Sequence, residues 1–512
     1  MVKKPDAGDD IVTTHHGGDV QFAEVEKGEV IDAKAADAGL KFLAEHGTVS
    51  YTEDEEAQVQ RRIDSYLLPL YFDKATLAYA AVYGLRTDLG LVGQQYSWAT
   101  SIFYFGYLVG QWPGGRLLQR LPLGVYISAN LFLWGALVMC LGATQNFAAL
   151  AAIRFLMGIF ESCIVPCSVH ITGMWYTYKE QGVRFNIWYS AVGFASLLGG
   201  LITYGIGHAH SSVANWRLIF LVCGGITIVW AVVIYFVLPD TPASASFLTE
   251  RQRMIAVERL RQNRTGVKTT KFKWSQAWEA LRDPQIILLA LYVGIGEICN
   301  IGGSFLPLIL QGLGFSGLTT TLLTMPGQGV QISSLLIGGV LSYLFRNQNG
   351  RLSIILLLLA PTYAGCIMLQ AVPQNMTWVR AVACWMFLSA AGAPYAVILS
   401  LISSNVAGFS KKVTATTLIF IVYCVGDIVS PQMFLASEAP TYPTGLRTLL
   451  VARTLNIVII ITLGFYYYFE NKRRDAVLAG LPSEVIDADT VANEEFLDRT
   501  DKEDFLKFRY KW

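Results

Sequence analysis

Two ionisable residues of opposite charge lie deep in an otherwise apolar stretch of the chain, residues 147–175. Arg154 and Glu161 are seven residues apart, so on a helix both face the same side. At 1.5 Å per residue, Glu161 lies roughly 20 Å from Phe147, near the middle of a hydrocarbon core about 30 Å thick. A charge there costs on the order of 3 kcal/mol, so an ion path, a substrate counter-charge or a structural pair must account for it.

The chemistry of this pair suggests coupled binding of an anion and a proton. A guanidinium presents a planar fork that matches a carboxylate and stays charged, which suits Arg154 to an anion site. Burial favours the neutral form of a carboxyl group, which suits Glu161 to carrying a proton. We hypothesise that protonation of Glu161 frees Arg154 to bind the anion, and a purely structural buried pair is the alternative. His170 is expected near the membrane interface.

The composition identifies an integral membrane protein. The chain has 512 residues, of which 53% are hydrophobic and 15% charged, against about 25% charged in an average soluble domain. The formal net charge of +1 and the absence of a basic block argue against a nucleic-acid partner. All eight cysteines lie in apolar runs, where packing is the expected role. We therefore expect no metal site, no disulfide framework and, since no catalytic motif occurs, no enzyme.

Hydropathy predicts an all-α membrane protein with twelve membrane-spanning helices in two halves of six. Residues 1–60 are expected to be a mobile cytosolic tail with a short amphipathic helix at 31–46, followed by an N-terminal six-helix half at 61–238. A cytosolic central loop at 239–283, a C-terminal half at 284–470 and a cytosolic tail at 471–512 complete the division. The predicted spans are Ser65–Tyr83, Trp98–Leu118, Leu123–Gly142, Phe147–Trp175, Phe185–Gly207, Trp216–Leu238, Gln285–Leu310, Leu318–Phe345, Leu352–Ala371, Trp378–Ser403, Val413–Ala436 and Thr448–Phe469.

Local signals refine this plan. Thr249 is placed to cap a helix in the central loop, and Asp283 followed by Pro284 is placed to cap the seventh span. The pair Gly302–Gly303 with Pro307 predicts a break in that span. Basic residues mark alternate loops and therefore the cytosolic side, which places both termini in the cytosol: Arg116, Arg120, Lys179, Arg184, Arg346, Arg351, Lys411 and Lys412.

Several strings resemble the fungal allantoate-permease-like transporters, the anion:cation symporter branch of the major facilitator superfamily. The likeness covers about residues 61–470 and includes FDKATLAYAAVYGL (Phe72–Leu85), residues 146–190, and FIVYCVGDIVSPQMFLASEAPTYPTG from Phe420. The resemblance implies the major facilitator fold and proton-driven uptake of small organic anions such as allantoate, ureidosuccinate or nicotinate. It implies no cofactor beyond the proton gradient. We expect a monomeric multi-pass protein of the plasma membrane.

Residues of the first and seventh spans complete the candidate site. Lys74 lies in the middle of the first span and is a candidate cation for the substrate carboxylate, beside Asp73, a candidate for proton coupling. Asn300 lies at the predicted bend of the seventh span, where the family has a substrate-facing stretch. The candidate set is therefore Lys74, Arg154 and Asn300 for substrate binding, and Glu161 and Asp73 for proton coupling. Gln328, Gln331 and Asp427 are polar at membrane depth, and inter-helix hydrogen bonding is the favoured interpretation.

One departure from the family leaves alternatives open. The first span is roughly eight residues shorter than in family members, and a helix over Ser65–Tyr83 reaches only about 28 Å. A transport-dead variant is therefore one alternative. A nutrient sensor that keeps the transporter fold and signals through its tails is another.

Overall fold

The computed structural model describes residues 12–16, 19–23, 49, 51–67, 77–118, 120–208, 211–261, 273–299, 305–345, 350–390, 392–480, 500–505 and 508–511. Contacts divide the chain into two compact units. The first unit comprises residues 1–69, 170–181 and 238–268, and the second comprises the rest. Strands β1 (Val12–His16) and β2 (Asp19–Ala23) form an antiparallel hairpin in the first unit.

The remaining regular elements of the described residues are helical. In chain order the α-helices are α1 (Glu53–Leu67), α2 (Leu77–Val82), α3 (Leu85–Asp88), α4 (Gln95–Leu118), α5 (Leu123–Leu141), α6 (Phe147–Glu161), α7 (Ile164–Trp175), α8 (Tyr178–Gly207), α9 (Asn215–Val237), α10 (Glu250–Arg261), α11 (Trp274–Arg282), α12 (Pro284–Ile298), α13 (Leu306–Gly312), α14 (Gly317–Leu344), α15 (Arg351–Ala371), α16 (Thr377–Phe387), α17 (Ala393–Asn405), α18 (Phe409–Val429) and α19 (Pro443–Ala479).

Eight described segments are long and apolar enough to cross a membrane, and most of their bounds lie within a few residues of the predicted spans. The last helix is an exception, because it runs on to Ala479 instead of ending near Phe469. Residues 470–479 contain neither glycine nor proline, so nothing in that stretch stops the helix. In the first predicted span, Ser65–Tyr83, residues 68–76 lie outside the described residues, as does the amphipathic helix expected at 31–46.

Two predicted helix caps are confirmed. Thr249 Oγ1 accepts a hydrogen bond from the Gln252 backbone N–H at 3.4 Å at the start of α10. Asp283 accepts one from the Gln285 backbone N–H at 3.2 Å, and Pro284 occupies the first position of α12. Both caps satisfy backbone donors that a helix start leaves without an intrahelical partner.

The predicted fourth span, Phe147–Trp175, is confirmed with its bounds, and its helix is interrupted once. Helix α6 ends at Glu161 and α7 begins at Ile164. Pro166 has no N–H to donate to the carbonyl of Ser162, four residues before it. The Gln111 side chain donates to that carbonyl instead, at 2.7 Å. The break therefore lies directly after Glu161, and α4 stabilises it.

Helices α4 and α6 approach each other backbone to backbone through glycines. A Cβ placed on Gly158 would overlap the Phe103 carbonyl oxygen, and one placed on Gly106 would overlap the Phe155 carbonyl oxygen. Only residues without a side chain permit this distance between two helices. The packing leaves α6 no freedom to slide along α4, which fixes the height of Arg154 and Glu161 on that helix.

The first unit is held by ion pairs and ring packing. Arg259, which is 1% exposed, forms an ion pair with Glu180 at 2.7 Å. The Trp175 ring stacks on Phe247 with centroids 5.8 Å apart. Near the protein surface, Arg251 pairs with Glu55 at 2.9 Å, a contact of the kind that contributes little because water screens it.

A buried charge cluster lies where four helices of the C-terminal half begin or end. The Lys411 ammonium is 2.8 Å from Glu279 Oε1, 2.7 Å from Asp283 Oδ2 and 2.6 Å from Asp501 Oδ1. Lys411, Asp283 and Asp501 are all 0% exposed. In the described ranges these three acids are the group whose spacing fits a metal ion, and the ammonium lies among them as their cation.

Asp501 belongs to residues 500–511, which we name the C-terminal strap. Its backbone is held by two amide side chains that each form a pair of hydrogen bonds: Asn405 with Lys511 at 2.7 and 2.9 Å, and Asn471 with Tyr510 at 2.9 and 2.9 Å. Each side-chain amide offers one donor and one acceptor to the backbone of the strap. It therefore pairs with that backbone as an adjacent β-strand would. The strap therefore ties α17 to α19.

The strap also supplies hydrogen-bond partners to buried polar groups. Arg474, 0% exposed, donates to the Asp501 carbonyl at 2.9 Å, and the Tyr510 hydroxyl donates to Asp501 Oδ2 at 2.7 Å. The Tyr510 ring stacks on Tyr467 with centroids 5.2 Å apart. Burial and the adjacent Asp501 carboxylate raise the pKa of Tyr510, so its hydroxyl stays a donor throughout the physiological range.

We expect a side chain at position 158 to destabilise the fold. Gly158→Val should lower the free energy of unfolding by about 1–3 kcal/mol, because α6 must move away from α4 to admit the new atoms. Gly115→Ala is the control, since a Cβ at Gly115 meets no atom within 4 Å. Thermal unfolding of the detergent-purified variants measures the difference. Equal midpoints for the two variants would contradict this packing.

We also expect the stability of the fold to depend on Lys411, the cation of the charge cluster. Lys411→Met leaves two fully buried carboxylates, Asp283 and Asp501, facing each other beside the partly buried Glu279, and should cost about 3–5 kcal/mol. Asp501→Asn should cost less, because Lys411 keeps Asp283 and Glu279. Lys472→Met, at an exposed lysine of α19, is the control. The same unfolding measurement ranks the three variants, and a Lys411→Met protein as stable as the control would refute the cluster's role.

Candidate functional site

The packing of α6 on α4 decides what the Arg154 guanidinium touches. Its Nε donates to the Ala99 carbonyl at 3.1 Å, and its Cζ lies 4.7 Å from the centroid of the Phe103 ring. Among the residues that the structure describes, no carboxylate forms an ion pair with Arg154. The half-buried guanidinium is thus held by a carbonyl and a ring, and most of its fork is left for a further acceptor.

Glu161 lies on the same helix, two turns after Arg154, as predicted. It is the last residue of α6 and is 7% exposed. Because Arg154 is turned toward Ala99 and Phe103, the two residues do not form the buried pair that the sequence left open as an alternative. The carboxyl therefore lies at the break between α6 and α7, near membrane mid-depth, with the guanidinium directed elsewhere.

Helices α4 and α18 form the seam between the N-terminal and C-terminal halves. The Ser101 hydroxyl donates to the Ile428 carbonyl at 2.7 Å, and the Gln432 amide donates to Ser101 Oγ at 3.0 Å. Further along, the Tyr107 and Phe420 rings stack with centroids 5.5 Å apart. From Ser101 to Tyr107 on α4, the contacting residues on α18 go from Ile428 back to Phe420. The two helices therefore run antiparallel.

Asp427 is a residue of this seam whose position the sequence did not reveal. It follows Phe420 by seven residues and Cys424 by three, and both of those pack in a cluster or a ring contact with α4 residues. Residues at such spacings share one helix face, so Asp427 points toward α4. It is 2% exposed.

Glu297 reaches the same level from α12. Gly294 and Glu297, one turn apart, both face α18: a Cβ on Gly294 would meet Val422, and a Cβ on Gly426 would meet the Glu297 Cβ at 2.8 Å. Glu297 therefore lies beside the residue that precedes Asp427. The C-terminal half therefore brings two carboxylates to neighbouring positions, on α12 and on α18.

Aromatic rings line the seam without interruption. The ring of Phe103 contacts Tyr104 at 5.1 Å, Tyr104 lies 6.5 Å from Tyr107, and the series crosses to the other half at Phe420. It continues to Tyr423, stacked on Phe420 at 5.8 Å, and to Tyr395 at 5.9 Å. This series of rings, which we name the aromatic wall, begins at Phe103, over whose ring the Arg154 guanidinium lies. It continues past the part of α4 that faces Asp427.

Three predicted site residues cannot be placed. Lys74, Asp73 and Asn300 lie outside the described residues, so their roles stay predictions. The described chain adds Tyr104, Glu297 and Asp427 to the candidate site. The seven-residue spacing between Phe420 and Asp427 was the available signal for Asp427, but it requires knowing that Phe420 faces α4.

The two halves meet at one end of the bundle, which we name the closed end. The Tyr83 hydroxyl lies 3.3 Å from Thr321 Oγ1, and the Tyr96 ring packs edge-on against Phe305 at 5.5 Å. A Cβ on Gly317 would lie 3.4 Å from Val82 Cγ1. These contacts lie where α2 ends, α4 begins and α14 begins. The basic residues Arg116 and Arg120 lie at the C-terminal end of α4, and Lys411 and Lys412 lie at the N-terminal end of α18. Both places are at the opposite end of these helices from the closed end.

Comparisons with known proteins agree on one family. The sequence model of the Major Facilitator Superfamily matches residues 67–431. An uncharacterized transporter of Schizosaccharomyces pombe is 42% identical over 90% of this chain and 87% of its own, and the allantoate permease of Saccharomyces cerevisiae is 31% identical over 93% and 90%. A proton:xylose symporter structure matches with a TM-score of 0.59 and 14% identity over 81% of this chain and 96% of that chain.

The closed end predicts a specific cross-link. In a background with the eight native cysteines replaced by alanine, Val82→Cys with Gly317→Cys should form a disulfide on mild oxidation. A Cβ at position 317 would lie 3.4 Å from Val82 Cγ1, which is a position that the Sγ of a cysteine at 82 can take. Loss of labelling by a maleimide-linked polymer, seen as a missing gel shift, measures it. Either single variant is the control and should stay labelled. Full labelling of the oxidised double variant would contradict the closed end.

Proposed function

The chain belongs to the major facilitator superfamily, and we propose that it is a proton-coupled symporter that imports a small organic anion by alternating access. It is a multi-pass membrane transporter and not an enzyme. Carboxylates of the allantoate, ureidosuccinate and nicotinate kind are the proposed cargo. The proposal places the protein in the plasma membrane as a monomer with both termini in the cytosol, since the basic loops lie on that side.

The observation that carries the proposal is the unpaired charge of Arg154. A guanidinium at membrane depth is costly unless a counter-charge is present for part of the working cycle. In the described chain that counter-charge is not supplied by a protein carboxylate, so an anionic substrate is the proposed partner. Similarity to a permease named for an organic anion supports this assignment.

Glu161 is the proposed proton carrier. Its buried position at the break between α6 and α7 favours the neutral carboxyl, and each change of access would expose it to a different proton concentration. Protonation would remove a negative charge from the helix that holds Arg154, which favours anion binding there. The substrate and the proton would then cross together.

The closed end supports alternating access around this site. With the basic loops in the cytosol, the contacts of Val82 with Gly317 and of Ser101 with Ile428 would seal the outer side. Opening to the outside would require those contacts to part while the glycine-packed pairs within each half stay intact. The disulfide between positions 82 and 317 should therefore abolish uptake, and a reductant should restore it.

The test is uptake in cells that lack endogenous carriers. We expect accumulation of at least one of allantoate, ureidosuccinate, nicotinate and pantothenate to be greater at about pH 5 than at about pH 7, because protons drive entry. Glu161→Gln should remove this pH dependence and stop accumulation against a gradient, while exchange of preloaded substrate continues, since glutamine resembles the protonated acid.

Glu250→Gln, an exposed position at the start of α10, is the matched control and should keep the pH dependence of the unmodified protein. An unaltered pH profile in Glu161→Gln would remove Glu161 from the coupling role. If the Arg154→Gln variant takes up all four anions as the unmodified protein does, the anion site itself is refuted.

A further inference from the structure

We propose that helix α11 is a lipid-binding surface. It lies along the membrane leaflet at the end of the bundle that holds the charge cluster, and it binds anionic lipid headgroups through Arg282. The partner of this surface is the bilayer and not the transported molecule. The inference therefore requires a membrane-embedded chain but stands apart from the proposed function.

Helix α11 has one face against the protein and another that the fold leaves uncovered. Gln276, Ala277 and Ala280 are buried. The exposed face carries three large apolar side chains: Trp274 is 73% exposed, Trp278 58% and Leu281 42%. At about 100° per residue these three positions lie within roughly 60° of one another around the helix axis. They form a single apolar stripe.

The buried face of α11 is fixed on the start of α18. The Lys273 backbone N–H donates to Ser410 Oγ at 2.8 Å, and the Ser410 backbone N–H donates to Gln276 Oε1 at 3.1 Å. One turn further along α11, Glu279 Oε1 lies 2.8 Å from the Lys411 ammonium. These contacts hold α11 in one rotation about its axis, so the direction of the apolar stripe is set by the fold.

The stripe continues a surface that faces lipid. Helix α11 ends at Arg282 and α12 begins at Pro284, and α12 exposes the apolar side chains of Ile287 and Leu291. Leu281 precedes Ile287 by six residues, or roughly 9 Å at the helical rise. The headgroup layer on each side of a bilayer is about 5–8 Å thick. The stripe therefore extends the lipid-facing surface of α12 into the headgroup layer.

The residue types of the stripe suit that layer. An indole ring is large and apolar but carries one N–H donor, and tryptophan is accordingly enriched where the membrane meets water. Contiguous apolar side chains left in water mark a binding surface. A helix that lies in the membrane plane buries such a stripe between the headgroups and the acyl chains. The bilayer is thus the occupant that fits Trp274 and Trp278.

The charges on the exposed face favour anionic lipids. Within residues 273–282 the exposed side chains include two basic residues and no acid: Lys273, Trp274, Ser275, Trp278, Leu281 and Arg282. The acid of α11, Glu279, is paired with Lys411. The Arg282 Cζ lies 5.8 Å from the centroid of the Trp278 ring, beside the stripe. A guanidinium in that position matches a lipid phosphate, and a basic residue near an anionic membrane surface strengthens binding.

The experiment places a fluorophore on the stripe and quenchers in the lipid. In a background with the native cysteines replaced by alanine, Leu281→Cys is labelled with nitrobenzoxadiazole, which leaves both tryptophans in place. The purified full chain is reconstituted in vesicles of equal parts phosphatidylcholine and phosphatidylserine, and one of the two lipids carries a nitroxide on its acyl chain. We expect both lipids to quench, and phosphatidylserine to be about 5-fold more effective, which corresponds to about 1 kcal/mol for one basic residue.

Controls separate contact with lipid from preference for the anionic lipid. Adding Arg282→Gln should make the two lipids equally effective, while quenching itself persists because the apolar stripe is unchanged. Val229→Cys, exposed in the middle of α9, should be quenched equally by both lipids. Glu250→Cys, exposed at the start of α10, should be quenched by neither. Trp274→Cys repeats the measurement at a second position of the stripe.

Two results would overturn the inference. If the labels at positions 274 and 281 are quenched by neither lipid, as at position 250, the face does not lie on the bilayer. If the two lipids quench equally, or if the preference survives in Arg282→Gln, Arg282 does not bind anionic headgroups. Neither result bears on anion uptake, because Arg154 and Glu161 take no part in this surface.

Discussion

A charged side chain within the hydrocarbon core of a membrane must be enclosed by protein. That requirement governs how the helices of the described part of this chain pack. Arg154, Glu161, Asp427 and Glu297 all belong to segments assigned to the membrane, and Glu161 and Asp427 are buried. Helix α4 provides much of this enclosure. It offers a carbonyl and a ring to Arg154 and an amide to the Ser162 carbonyl beside Glu161.

The packing within the halves differs in kind from the packing between them. Inside each half, glycines bring backbones into direct contact, as between α4 and α6 and between α12 and α18. Between the halves, the seam is made of rings and a few hydrogen bonds. Interlocked backbones resist sliding because any shift creates overlap, whereas stacked rings separate without distorting a helix. The backbone contacts between α4 and α6 and between α12 and α18 therefore resist sliding more than the ring contacts between α4 and α18 do.

Sequence alone predicted the parts of this structure that depend on local pattern. Most of the span bounds follow from hydropathy, the Thr249 and Asp283 caps from residue type, and the shared face of Arg154 and Glu161 from their spacing. The local break after Glu161 was not predicted although Pro166 signals it, because a long apolar run indicates a span without showing where its helix is interrupted. Asp427 was recognised as polar at membrane depth, but the direction of its side chain depends on which neighbour Phe420 faces. Asp501 was missed because Lys411, with which it pairs, lies 90 residues away in the sequence.

The C-terminal strap has a consequence for the order of synthesis. Translation proceeds from the N-terminus, so Asp283 and Lys411 are inserted well before Asp501 exists, and Asp501 follows the end of α19 at Ala479 by a further 22 residues. Until then Arg474 and the amides of Asn405 and Asn471 lack the partners described above. A nascent chain at that stage presents an incomplete surface at this end of the helices, and docking of the strap completes the C-terminal half.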